Sequence, residues 1–347
     1  MPERRVSPPL TQRDREILKD IVQTYILSGE PVSSRAVARH EQHGVSAATI
    51  RNVMADLEEL GYLEQPHTSA GRVPTGAGYH LYIESLMDDR ALPPEERRVI
   101  DEALHPDGEP ERMVSTTPHL LSALSSQIGI VVTPAIGETR LRTVHFVPLS
   151  GRRVLCVVVS EGGFVENKLV EAAEELSREK LIEISNYLTR HFAGLTLRQI
   201  RDRLLSLMAE QRARVDALLA QAIVLAERGL DPSPGPELLV EGTAMVLAHP
   251  ELSSIEQVRR LLDLFADRER LVTLLNRCIE GAGVRVLIGQ ESDLTSDLGF
   301  SLVTRGFQAA GGGRGTLAVF GPSRMEYSRV IPLVEYLGER LSEALEK

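Results

Sequence analysis

The sequence predicts an α+β protein of two or three domains, opening with three helices and a short hairpin. Three observations carry this. The chain has 347 residues, more than one ordinary domain holds. Apolar residues recur at helical spacing as far as Leu60, and a short alternating segment follows Gly61. Beyond a proline-rich stretch near residue 110 the period becomes two, then helical for about a hundred residues, then two again.

The N-terminal elements follow from their caps. Thr11 is a good N-cap, with Asp14 three residues on and an apolar stripe of Ile17, Leu18, Ile21, Val22 and Tyr25 behind it. Gly29 closes that helix and Pro31 prevents its continuation. Ser33 or Ser34 caps a second, short helix through Ala36 and Val37, ending near Gly44. Ser46 caps a third, with Ile50, Val53, Leu57 and Leu60 on its inner face and Gly61 at its end. Tyr62-Leu63-Glu64 alternates as a strand, Gly71-Arg72-Val73-Pro74 returns beside it, and Thr68-Ser69-Ala70 lies at the tip. Three helices and a hairpin in that order make a winged helix-turn-helix.

A boundary is expected at Leu92-Pro93-Pro94 and a loop at Pro106-Asp107-Gly108-Glu109-Pro110. Residues 128–132, 142–147 and 154–159 read as strands, with turns at Ser150-Gly151 and Glu161-Gly162-Gly163. Helix follows over 174–191 and 197–228, a break at 232–236, and more helix to Glu280. Strands return at 284–288 and 316–320. A last helix opens with a capping box, Ser323-Arg324-Met325-Glu326. Strand backbones need neighbours, so one continuous sheet interrupted by a helical insertion is expected rather than two half-sheets.

Composition excludes several classes. Hydrophobic content of 42% and charged content of 25% are globular values. No apolar run nears the roughly 18 residues of a membrane span, and no secretory signal precedes Pro8-Pro9. Two cysteines cannot make a disulfide framework, and Cys156, inside an apolar strand, is expected buried and inert. A cytoplasmic location is therefore expected. Gly311-Gly312-Gly313-Arg314-Gly315 lacks the ending of a phosphate loop and precedes a strand, so it is expected to be a hairpin connection. The nine histidines show no metal-ligand spacing, His40 and His43 are expected in solvent, and no nucleophile elbow is present. No enzyme, cofactor or metal is expected.

Charge speaks against nucleic acid at first, with a net −10 and a pI near 5.5. Up to Arg72 the balance is nearly even, nine Lys and Arg against ten Asp and Glu, so placement must decide. In the third helix, a rotation of about 100° per residue turns Ala48, Asn52 and Ala55 outward, flanked by Thr49 and Arg51. Small residues admit a backbone to the major groove, while Asn and Arg offer bidentate pairing to purine edges. A protein-binding winged helix or an ordinary solvated face has the same pattern. Arg72, on a hairpin beside Gly71, has the reach for a phosphate or the minor groove, and Gly71 permits close backbone approach. Arg35 and the Arg4-Arg5 arm are further candidate phosphate contacts.

Gly29-Glu30-Pro31-Val32-Ser33-Ser34-Arg35, the run from Val45 to Leu63, and His67-Thr68-Ser69-Ala70-Gly71-Arg72-Val73-Pro74-Thr75 resemble the bacterial heat-shock repressor family HrcA. Gly78-Tyr79-His80-Leu81-Tyr82 and the run from Phe320 to Val330 fit it too. The family usually has Gly at position 33, an acidic residue at 53 and often a basic one at 80, where this chain has Ser33, Val53 and His80. The resemblance implies a winged helix-turn-helix over residues 1–91, a linker at 92–114, a GAF-like domain at 115–172 and 268–347, and an inserted dimerisation domain at 173–267. It implies a homodimer that binds an inverted-repeat operator on double-stranded DNA, represses chaperone operons, and is kept active by a GroEL-type chaperonin. Ala48, Thr49, Arg51 and Asn52 are then expected at bases, and Arg35, Ser46, Ser69, Gly71 and Arg72 at the backbone or wing. Two rival functions are a small-molecule-sensing GAF-type transcription factor and a protein-interaction module that never meets DNA.

Overall fold

The first helix, α1 (Gln12–Ser28), opens on a capping box: Thr11 Oγ1 accepts from the Asp14 amide at 3.2 Å, and the Asp14 carboxylate accepts from the Thr11 amide at 2.9 Å. It closes at Gly29 in the left-handed region, φ 69°. This computed structural model describes residues 10–39, 46–68, 70–87, 91–105, 108–135, 138–210, 217–230, 236–247, 254–277, 283–289 and 299–346. Ser33, not Ser34, caps α2 (Ser34–Ala38), and the expected end near Gly44 lies outside the described residues, as do His40 and His43. Ser46 caps α3 (Ala47–Glu59), which buries Ile50, Val53, Met54 and Leu57. A two-stranded hairpin, β1 (Leu63–Glu64) and β2 (Val73–Pro74), pairs Leu63 with Pro74 and Glu64 with Val73. Thr75 caps α4 (Gly76–Leu81), which runs on into a π-turn at Tyr82–Leu86 and buries Tyr79 and Tyr82.

The stretch expected as a linker, 92–114, contains helical segments. It holds α5 (Pro94–Ala103) and the start of α6 (Pro110–Ser125). Pro94 and Pro110 each occupy the first position of a helix, where a missing N–H costs nothing and φ is already set.

After α6 the chain enters β3 (Ile128–Val132) and then leaves that sheet. Residues 138–230 build a unit with its own core: a three-stranded meander, β4 (Leu141–Pro148), β5 (Arg153–Ser160) and β6 (Val165–Glu171), covered on one face by α7 (Arg178–Phe192), α8 (Leu197–Glu210) and α9 (Ala217–Gly229). The strands expected at 142–147 and 154–159 therefore do not join β3. They pair with β6, and Val144, Phe146, Val158, Ile184, Leu188 and Leu225 fill the space beneath them. Cys156 is buried in this core, and burial pushes its thiol up to about 12.

The chain returns at β7 (Leu238–Glu241), a strand the sequence pattern missed, which pairs antiparallel with β3. Then come α10 (Thr243–Leu247), α11 (Ile255–Ala266), α12 (Arg268–Arg277), β8 (Val284–Ile288), β9 (Phe300–Gln308), β10 (Arg314–Pro322) and α13 (Tyr327–Leu345). The completed sheet has the order β7-β3-β10-β9-β8, every pair antiparallel. It is buried on both faces. Val131, Leu317 and Val319 face a core shared with α6 and α13, while Ile130, Ala318 and Phe320 face α11 and α12. Gly311 and Gly312, at φ 78° and 84°, close the β9–β10 hairpin where the glycine-rich run was expected to. The capping box expected at Ser323 does not form. The α13 N-cap is Glu326, without a side-chain bond, and Ser323 is engaged with the helix's first tyrosine instead.

Two predictions follow from this packing. An added Cβ on Gly129 would lie 2.1 Å from Pro118 O and 2.8 Å from Leu121 Cβ, so α6 sits on β3 with no room for a methyl. Gly129→Ala should destabilise the protein by about 1–3 kcal/mol or more, read as a lower urea midpoint. In a Cys278→Ser background, Cys156 should label with a thiol reagent at pH 8 only as fast as the protein unfolds. Rapid labelling of the native state would contradict its place in the core.

Candidate nucleic-acid interface

The candidate surface lies at the N-terminal half of α3. Ser46 Oγ accepts from the Thr49 amide at 3.2 Å and lies 3.1 Å from Thr49 Oγ1. This cap fixes the first turn and draws the half-buried Thr49 hydroxyl toward Ser46. With Ile50, Val53, Met54 and Leu57 buried, Ala48, Arg51, Asn52 and Ala55 are all exposed on the opposite side. Of the four expected base-reading residues, Ala48, Arg51 and Asn52 share one open face, and Thr49 stands at its margin beside the cap. The later turns of α3 carry Asp56, Glu58 and Glu59, which repel phosphate. The helix dipole adds positive potential only at the first turns. Both effects confine any approach of a duplex to the N-terminal half. Arg35, exposed in the first turn of α2, lies on the helix packed against α3.

The wing is fastened to the same framework. Val32 and Arg72 exchange backbone hydrogen bonds of 2.9 and 2.8 Å, an isolated antiparallel bridge that ties the segment before α2 to the hairpin. Gly71 is required by this contact: an added Cβ would lie 2.4 Å from Val32 O and 2.6 Å from Pro31 O. The close approach expected of Gly71 is thus to the chain's own backbone. Arg72 Nη2 meets Glu58 Oε2 at 2.8 Å, leaving the arginine side chain one-fifth exposed. The guanidinium expected at a phosphate rests on the flank of α3, and reaching DNA requires exchanging Glu58 for a phosphate. The Gln65 side-chain amide donates to Thr68 O and Ala70 O, each at 3.0 Å, bracing the tip. Ser69, Arg4 and Arg5 lie outside the described residues. Sequence reasoning missed Glu58 and Gln65. Glu58 has no spacing relation to Arg72 that a pattern could detect, whereas an amide just before a Thr-Ser-Ala tip was a usable turn signal.

Residues 9–86 match the family described as the winged helix-turn-helix transcription repressor, HrcA DNA-binding, and residues 111–331 match the HrcA protein C-terminal domain. The chain belongs to the HrcA family. The heat-inducible transcription repressor HrcA of Geobacter sulfurreducens is 40% identical over 97% of this chain and 98% of its own length. That of Xylella fastidiosa (strain M23) is 37% identical over 98% and 97%. A solved structure described only as a hypothetical protein is 26% identical, covers 97% of this chain and 99% of its own, and superposes with a TM-score of 0.61. HrcA proteins are transcription repressors, not enzymes. Among the described residues no group of His, Cys, Asp or Glu is placed to hold a metal, and no helix is long and apolar enough to cross a membrane.

Two departures from the usual HrcA pattern have a structural account. Ser33 Oγ accepts from the Ala36 amide at 3.2 Å and so caps α2. Val53 is 8% exposed on the inner face of α3, where a carboxylate would lack solvent. The Gly71 contact generates a prediction for the wing. Gly71→Ala should break the Val32–Arg72 pairing and cost about 1–3 kcal/mol. Chemical denaturation measures the loss, and an unchanged midpoint would show that the wing is not fastened this way.

Proposed function

We propose that this protein represses heat-shock genes, those of chaperone operons, by binding an inverted-repeat operator as a dimer in the cytoplasm. The observation that carries the reading is the exposed Ala48, Arg51 and Asn52 face at the start of α3, within a segment matched by the DNA-binding domain of a repressor family. Small side chains let the helix enter the major groove, and Arg51 and Asn52 supply bidentate partners for guanine and adenine edges. Thr49 and Ser46 stand at the helix N-terminus, where backbone amides and the dipole favour phosphate. Arg35, Ser69 and Arg72 complete the backbone and wing contacts, with Gly71 giving the wing its path. Arg72 takes part once a phosphate displaces Glu58.

A two-fold dimer fits a palindromic site, and the 138–230 unit, in place of the expected 173–267, is the proposed dimerising insertion. What supports it is the face of the meander opposite its helices. Val147, Leu155 and Leu169 lie side by side there in register, Val165 stands further along β6 opposite Val159, and Val147, Val165 and Leu169 are 40–55% exposed. The five-stranded sheet with helices on both faces is proposed as the GAF-like part. Relatives carrying the words heat-inducible support a heat response in this chain too. A GroEL-type chaperonin is the proposed partner that maintains the active population, so that its diversion to unfolded protein relieves repression.

Arg51→Ala and Asn52→Ala should each lower affinity for the selected operator by about 1–3 kcal/mol while leaving non-specific binding unchanged. Fluorescence anisotropy with operator and scrambled duplexes at two salt concentrations tests this. Folded variants that bind the operator as wild type does would remove these residues from base reading.

A further inference from the structure

The run from Phe320 to Tyr327 is far from the recognition helix in sequence, yet it holds the winged helix in place. Arg324 lies flat against Gly29, the left-handed residue that ends α1: an added Cβ on Gly29 would lie 3.1 Å from Arg324 Cζ and 3.3 Å from both Nε and Nη1. Arg324 Nη1 donates to Ile26 O at 3.5 Å across a separation of 298 residues. The last turn of α1 contains no basic residue of its own. Arg324 therefore supplies, from the far end of the chain, the cation that a helix C-terminus favours.

Behind it, Tyr327 is fully buried with its ring 5.8 Å from that of Tyr79, on α4 of the winged helix. Its hydroxyl donates to Ser323 O at 2.8 Å and lies 2.9 Å from Ser301 Oγ, which locks the corner that aims Arg324. Met325, between them, is 2% exposed and belongs to the core that also contains Ile17, Ile50 and Leu57. On the third side, an added Cβ at Gly76 would reach to 3.8 Å of Ile288 O on β8, an edge strand of the same sheet.

We infer that Arg324, aimed by Tyr327, is a positioning residue that sets the angle of the winged helix on the body and hence the spacing of the two recognition helices in the dimer. This rests on the repressor reading above. It concerns none of the residues proposed to touch DNA. A fixed angle matters only when both halves of a site must be engaged at once, because linked binding events gain affinity only when the geometry suits both. One half-site alone is indifferent to it.

The test uses full-length protein and duplexes that the wild type selects from a random-sequence pool. Each selected inverted repeat is also made as a single half and with one base pair added between halves. Arg324→Ala should bind the intact repeat about tenfold more weakly, bind the single half within about twofold of wild type, and lose the preference for the selected spacer. If Arg324→Ala fails to fold, Arg324→Gln is read in the same way. The inference is overturned if intact-repeat affinity and spacer preference are unchanged. It is also overturned if half-site and intact-repeat affinity fall in step, since that marks a residue that merely stabilises. A wild type that selects no sequence from the pool sinks the repressor reading itself and the inference with it.

Discussion

The winged helix does not close a core of its own, and the arrangement of the whole molecule follows from that. One continuous apolar cluster runs from Ile17 and Leu18 on α1, through Ile50 and Leu57 on α3, to Tyr79 and Tyr82, and on into Tyr327, Val330, Leu337 and Leu341 of α13. The Tyr79–Tyr327 pair is the seam between the two. Tilted aromatic pairs contribute about 0.5–1.5 kcal/mol beyond the area they bury, and this one has no solvent-facing side. The α5 helix, which links the two in sequence, is also tied to α13. Arg329 pairs with Glu96 at 2.8 Å, and Asp101 accepts from Tyr336 and Arg340 at 2.9 and 2.8 Å. The DNA-reading unit is thus attached by packing rather than by a tether. Residues that share a core do not lose stability independently, so loosening the body with heat also loosens the element that meets DNA.

Electrostatics impose a second constraint. A protein of net charge −10 gains little from long-range attraction to a duplex, and the first 72 residues are close to neutral. The structure manages this by segregation. Acidic residues of α3 fall in its later turns, and Glu58 is occupied by Arg72. What remains at the first turn is a helix N-terminus, Arg51 and Asn52, with Arg35 on the adjacent helix. In the proposed mode of binding, affinity depends on base contacts and geometry more than on counterion release, which favours discrimination over non-specific hold.

Local features of the fold were legible, and non-local ones much less so. Caps, stripes and terminators at Thr11, Gly29, Ser46 and Gly61 act within one or two turns, and the structure has them where the pattern put them. The open face of α3 follows from the same periodicity. Sheet membership is different. Residues 142–147, 154–159 and 128–132 look alike as apolar strands, but only pairing across long separations decides which neighbours they take. Four residues, Leu238–Glu241, were too short to declare themselves beside a proline-rich break, though they complete the sheet. Pro94 and Pro110 misled in the opposite direction, because a proline that begins a helix and one that breaks a chain look the same in composition. At the wing, Gly71 announced a close backbone approach, and only the structure identified Val32 as the thing approached.

The order of synthesis adds a last consequence. The helices of the winged unit emerge from the ribosome well before the β10–α13 corner that completes the surface covering Tyr79 and Tyr82. The main sheet likewise waits: β3 pairs with β10 only after the 138–230 unit and everything following it have been made. Such long-range closure is slow and leaves apolar surface open in the interval. Chaperones act on exposed apolar surface of this kind, which is what this topology leaves open during assembly. Separating the corner from the winged helix would open the same surface again. The proposed dependence on a chaperonin and the remote clamp at Arg324 therefore have one physical origin: the winged unit is completed by a segment far downstream of it.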